Sequence, residues 1–191
     1  FSKYFMPSVY AAYGTLDREW KGGAKVLWIQ QKRPRREWFA SAQFDLEQFG
    51  LGGALMPGDV LTSGLRTMNG NRLAAVTRYD VLYAHEWGQG WRTTMSAEHR
   101  RIAPRGELDF EPFVTAEAKV EVRWARGERF LSGEFDRVSI GNRAPIFTAV
   151  AVAGLPNIGG SSYRYQRYSL AVVHPLQLGW WGAVNWFGEG G

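Results

Sequence analysis

The chain has 191 residues, a formal net charge of +5 and a mean hydropathy of −0.30. That length suits one domain, and the lack of an unbroken apolar run of helix-spanning length excludes a membrane-crossing helix. The absence of cysteine excludes disulfide scaffolds, thiolate metal sites and cysteine nucleophiles.

In chain order, alternation of apolar and polar residues predicts about nine strands over residues 1–191, as one domain. The first runs near Lys3–Tyr13 with Pro7 inside it, which suits an edge or a bulge. The second is Ala24–Gln30. A basic turn, Lys32-Arg33-Pro34-Arg35-Arg36, leads to the third, Glu37–Leu46, with Trp38, Ala40, Ala42, Phe44 and Leu46 on one face. A Gly-rich connection follows from Gly50 to Gly70, with a short extended piece expected at Asp59–Arg66.

The fourth and fifth strands form a hairpin. Odd positions from Leu73 to Trp87 and even positions from Arg92 to Arg100 alternate on either side of Gly88-Gln89-Gly90. Pairing across this turn sets residue 85 opposite 93 and residue 79 opposite 99. Ile102–Val114 is expected as a loop. The sixth strand, Thr115–Trp124, has the cleanest alternation. Ala116, Ala118, Val120, Val122 and Trp124 face one way, and Glu117, Lys119, Glu121 and Arg123 the other. The seventh lies within Arg143–Ala153, after a stretch at 125–143 that fits no element. A loop over Gly154–Ser162, a strand at Tyr163–His174, a turn at Pro175–Gly179 and a last run at Trp180–Phe187 complete the chain.

Strands of this length, alternating in this way, match segments that cross a bilayer at a tilt, hydrophobic outward and polar inward. The expected fold is therefore all-β: an antiparallel transmembrane β-barrel of outer-membrane type. Ala116, Ala118, Val120, Val122 and Trp124 are its lipid-facing row, and Glu117, Lys119, Glu121 and Arg123 its lumen-facing row. Trp28, Trp38, Trp87, Trp91, Trp180 and Trp181 flank the three short turns and are expected to form an aromatic girdle at one membrane interface. An odd strand count implies an incomplete portion of a larger barrel, because an open edge in lipid is costly. The lumen set, with Arg92, Glu98 and Arg100, is expected to form a charged ladder across the strands.

No catalytic site stands out. His85 and His99 fall on one hairpin but roughly 20 Å apart, too far to share a metal without a further element. Ser96 and His99 have odd separation and point to opposite faces, and Asp80 and His99 do the same across the pair. The basic turn at 32–36 is expected to be solvated near lipid headgroups. The glycine clusters at 50–53 and 159–160 lack the strand–loop–helix setting of a phosphate loop. No cofactor and no nucleic-acid partner are expected.

The order of several segments carries a resemblance. Arg78-Tyr79-Asp80, Tyr83 and His85-Glu86-Trp87-Gly88-Gln89-Gly90-Trp91 are followed by Ala103-Pro104-Arg105-Gly106-Glu107-Leu108. Asn142-Arg143-Ala144-Pro145-Ile146-Phe147-Thr148 comes next, then Tyr163-Arg164-Tyr165-Gln166 and Pro175-Leu176-Gln177-Leu178-Gly179. From about Lys25 onward the chain resembles the barrel portion of outer-membrane proteins of Bacteroidota that carry an N-terminal carboxypeptidase-regulatory-like domain. The resemblance implies a full-length outer-membrane barrel of largely undefined biochemical role; the expectation here is an integral outer-membrane protein that is not an enzyme, with a transport or envelope-assembly role. Its partners would be outer-membrane lipid, lipopolysaccharide and other envelope proteins. It supplies no catalytic residues. The alternatives from other classes are a soluble β-sandwich or lipocalin-like binding module, and a barrel-embedded hydrolase.

Overall fold

The computed structural model describes residues 4–15, 18–48, 72–106, 108–133, 135–142, 144–177 and 183–190. The expected Asp59–Arg66 piece and the turn carrying Trp180 and Trp181 lie outside them. Eleven strands are present among the described residues: β1 Phe5–Tyr13, β2 Trp20–Lys32, β3 Arg35–Gln48, β4 Arg72–Gly88, β5 Trp91–Gly106, β6 Phe113–Ala125, β7 Arg129–Ser132, β8 Arg137–Gly141, β9 Ile146–Gly154, β10 Gln166–Gln177 and β11 Ala183–Gly190.

Nine of them form one antiparallel sheet in the order β1-β2-β3-β4-β5-β6-β9-β10-β11, an up-and-down meander without a crossover. The sheet is open: β1 and β11 are its two edges. The all-β antiparallel expectation holds, while closure into a barrel is not a feature of the described residues. β7 and β8 pair only with each other. They occupy the stretch at 125–143 for which alternation predicted no element.

The β4–β5 hairpin has the register read from its turn: Tyr79 pairs with His99 and His85 with Thr93. Gly88, Gln89 and Gly90 all have positive φ, which the tight connection requires. Gly90 also approaches the end of β6, where Ala125 N donates to its carbonyl at 2.9 Å. A Cβ on Gly90 would overlap the Ala125 carbonyl.

Several boundaries differ from the sequence reading, two of them at proline. β5 continues through Pro104 to Gly106, because β4 begins as early as Arg72 and supplies a partner for every added residue. β10 likewise runs on through Pro175 to Gln177 alongside β11. A distant strand is a stronger determinant than the local propensity of Pro.

Register assigns every strand residue to a face, because paired residues point the same way and successive ones alternate. Ala116, Ala118, Val120, Val122 and Trp124 continue through His99, Ala97, Met95, Thr93 and Trp91 into Tyr79, Val81, Tyr83 and His85. The same face proceeds through Ala42, Ala40 and Trp38 to Ala24, Val26 and Trp28, and then to Val9, Pro7 and Phe5. In the other direction it takes in Phe147, Ala149, Ala151 and Ala153 of β9, then Tyr168, Leu170 and Val172 of β10. This is an apolar face. The opposite face carries Glu117, Lys119, Glu121 and Arg123, together with Arg92, Glu98, Arg100, Arg78, Asp80, Glu37 and Glu47.

The small packed core lies on the charged face, at the end away from the short turns. Ala74, Val76 and Ile102 are buried there beneath Leu108, Phe110 and Phe113. The apolar face, in contrast, has no covering layer over its centre among the described residues: Val120 is 41% exposed and Met95 51%. Ala116 is buried where the 155–161 connection passes, Leu155 N donating to its carbonyl at 2.8 Å.

Candidate functional site: the charged face and its docked hairpin

The charged face is a network. Opposed residues carry like charges in several rungs, among them Arg78 with Arg100, Asp80 with Glu98, Glu98 with Glu117, and Arg92 with Arg123. Like charges directly opposite repel, so the simple ladder of opposite charges expected from sequence is replaced by diagonal and longer-range pairing. Glu47 receives both Arg78, at 3.0 Å, and Arg100. Glu37 receives Arg35 at 2.7 Å and Arg92 at 2.9 Å. Lys119 reaches Glu121 at 3.2 Å along its own strand. Ser41 donates to Asp80 at 2.9 Å. Glu47, bridging Arg78 and Arg100, offsets the repulsion within that rung.

The β7–β8 hairpin folds over this face at the short-turn end. Arg137 of β8 pairs with Glu86 of β4 and lies over the Phe130 ring at 3.7 Å. Arg35 donates to the Phe135 carbonyl at 2.8 Å, and its backbone N–H donates to Glu86. Arg123 grips Glu128 through two bonds of 2.6 and 2.8 Å, a bidentate geometry that holds the turn into β7. Burial would raise the Glu128 carboxyl. Hydrogen bonds from Arg123 and Ser139, with the charges of Arg123 and Arg137, outweigh it and hold the group below the ordinary carboxylate range.

Between hairpin and sheet lies a cavity of about 900 Å³. Its walls include Arg92, Ser96, Lys119, Glu121 and Arg123 from the sheet, and Phe130 and Arg137 from the hairpin. The lining mixes both charges with hydroxyls, so the cavity suits water and polar solutes and carries no single sign of charge.

At the other end, Tyr165 packs its ring against Gly154 and is hydrogen-bonded with Glu117. Burial, then that bond and the Glu117 charge, push its hydroxyl up to about 12.

Trp28, Trp38, Trp87 and Trp91 lie at the short-turn end of the sheet, and Trp180 and Trp181 of the expected girdle lie outside the described residues. Trp28 and Trp38 are cross-strand partners. Trp91 stacks on Trp124 with centroids 5.8 Å apart, and Trp124 on Phe147 at 5.6 Å. Trp87 stacks on His85 at 4.1 Å and donates to Thr93 Oγ1 at 2.9 Å. Trp124 and Phe147 thus belong to the same row. Sequence reasoning missed that role, although Trp124 ends its strand beside a connection and that position was a usable signal. At the opposite end Tyr13 packs on Trp20, centroids 5.2 Å apart.

His85 sits under Trp87 and is 8% exposed, receiving the Arg36 Nε–H at 3.2 Å. His99 donates to the Gly159 carbonyl at 3.3 Å. Both are held by structural partners. Asp80 and Ser96 occupy the face opposite His99. Among the described residues no group of three His, Cys, Asp or Glu is placed to hold a metal. No family model matches the chain, and neither a curated protein nor a solved structure matches it.

Proposed function

We propose that this chain is wall of an outer-membrane β-barrel, with the apolar face in acyl chains and the charged face lining a water-filled lumen. One observation carries the reading: the separation of charge between the two faces. On β1, β2, β6, β9 and the described part of β10 the apolar face holds no Asp, Glu, Lys or Arg. On β3 and β5 its only cations are Arg36 and Arg105, next to strand ends, and Arg101, five residues inside the end of β5. A face this wide and this apolar, left uncovered, is the surface that lipid solvates.

The height of the band supports the same reading. Aromatic rings bound it eight residues apart on β1, from Phe5 to Tyr13, and on β2, from Trp20 to Trp28. Eight steps span roughly 26 Å along a strand, close to the apolar band of outer-membrane barrels of about 25 Å, which is somewhat less along the normal when the strand tilts. Ala118, Val120 and Val122 are then lipid-facing, Trp124 and its neighbours form the girdle, and Glu117, Lys119, Glu121 and Arg123 face the lumen. The order of the Tyr79–Trp91, Ala103–Leu108, Asn142–Thr148 and Tyr163–Gln166 segments supports membership of the Bacteroidota barrel family. Its role would be non-enzymatic: passage of a polar solute, or a scaffold in envelope assembly, in contact with lipopolysaccharide.

The chain has no native cysteine, so single cysteines can be introduced cleanly. A polarity-sensitive dye on Val120→Cys should be quenched by brominated lipid in vesicles, and the same dye on Glu121→Cys should not. Two water-exposed dyes, in protein recovered without detergent, sink the reading and favour a soluble module.

A further inference from the structure

The β7–β8 hairpin has two unlike faces. Phe130, Ser132, Arg137 and Ser139 line the cavity against the sheet. The other face shows Leu131, Val138 and Ile140, which are 67%, 60% and 55% exposed. Beside them, at the hairpin base, runs an open groove of about 1190 Å³. Arg126, Arg129, Ile140 and Asn142 line it, and among the described residues no carboxylate does. Arg126 and Arg129 are exposed and form no ion pair among the described residues. Asn142 accepts from Ala144 N at 3.3 Å, yet its buried amide nitrogen has no hydrogen-bond acceptor.

We infer that this groove and the adjoining aliphatic row dock an extended acidic peptide segment of a partner protein. The guanidinium groups of Arg126 and Arg129, without an ion pair among the described residues, supply the charge match, and Leu131, Val138 and Ile140 take alternate apolar side chains. The two outer edges of the β7–β8 pair are free, and an extended segment can add to one of them. The inference rests on the proposed barrel for one point: the hairpin lies on the charged side of the sheet, away from lipid. Its aliphatic row therefore faces a water-filled space in which a partner segment, and not acyl chains, can cover it.

The test uses the full chain in vesicles and a fluorescent peptide of alternating Val and Glu, with a Val/Lys peptide as counterpart. The acidic peptide should bind saturably, weaken as salt rises, and lose at least tenfold in affinity with Arg126→Glu plus Arg129→Glu. That double variant should gain binding of the Lys peptide. Leu131→Ser with Val138→Ser should weaken the acidic peptide independently of charge. Equal binding of both peptides to the unaltered chain overturns the inference, as does indifference to charge reversal. So does self-association blocked by the same variants, which assigns the patch to a second copy. Dyes on Val120→Cys and Glu121→Cys in the same samples report separately on the barrel. Lipid quenching of a dye on Val138→Cys, with the Val120/Glu121 contrast intact, overturns the docking inference alone.

Discussion

Val120 and Glu121 are neighbours in sequence with opposite solvents proposed for them, and single substitutions at the two should differ accordingly. Val120→Arg would put a guanidinium near the bilayer midplane, at a cost of about 2–4 kcal/mol. Glu121→Gln removes one half-exposed pair with Lys119, worth no more than about 1 kcal/mol. Denaturant unfolding from vesicles measures both, and equal costs at the two positions contradict the proposed faces. Gly90 is a third position of consequence. Its φ of +86° and the Ala125 carbonyl beside it both exclude a side chain. Gly90→Val should destabilise by about 1–3 kcal/mol, read from the same unfolding curves. Gly127, with positive φ but open space around it, should tolerate alanine better.

The hairpin formed by β7 and β8 is the element whose behaviour the charges control. Its hold on the sheet passes through Glu86 and Glu128. Glu86→Ala should remove the Arg137 pair and loosen the hairpin by about 1–3 kcal/mol. Hydrogen exchange should then quicken at 129–132 and 137–141 while β4 and β5 keep their protection. Glu128 adds a pH dependence with a defined sign. Its folded pKa lies below the ordinary 4.5, so its contribution is fully present above that value. It fades as pH falls through the lowered one. Protease nicking between Arg129 and Gly141 should therefore increase in acid, and Glu128→Gln should remove this component. Nicking that is unchanged by acid in the unaltered chain counts against the Arg123–Glu128 clasp.

These particulars show what local pattern carries. The β4–β5 register was legible because a three-residue turn with positive φ leaves little freedom in pairing, and Tyr79 meets His99 as the count across it requires. β7 and β8 were not legible, being strands of four and five residues. Alternation over so few positions does not rise above chance, and their anchors, Glu86 and Arg123, come from strands that pair elsewhere. The charged rungs misled for a related reason. Types of residue on one face can be read from one strand, but which charges meet depends on the stagger between strands. Arg92 therefore opposes Arg123 while its ion pair goes to Glu37, two strands away.

For the molecule as a whole, the proposed membrane setting predicts an all-or-none requirement for detergent or lipid. The apolar face is nearly continuous from Phe5 to Val172. In water it should drive association, and extraction of membranes without detergent should leave the chain in the pellet. Two-sided alternation in each strand was enough to determine an all-β chain with one apolar and one charged face, because a period of two has only one structural meaning. The order of neighbours, the joining of Trp91, Trp124 and Phe147 into one aromatic row, and the hairpin folded over the charged side were decided by tertiary structure alone. Each depends on where strands distant in sequence lie against one another, and no local alternation encodes that stagger.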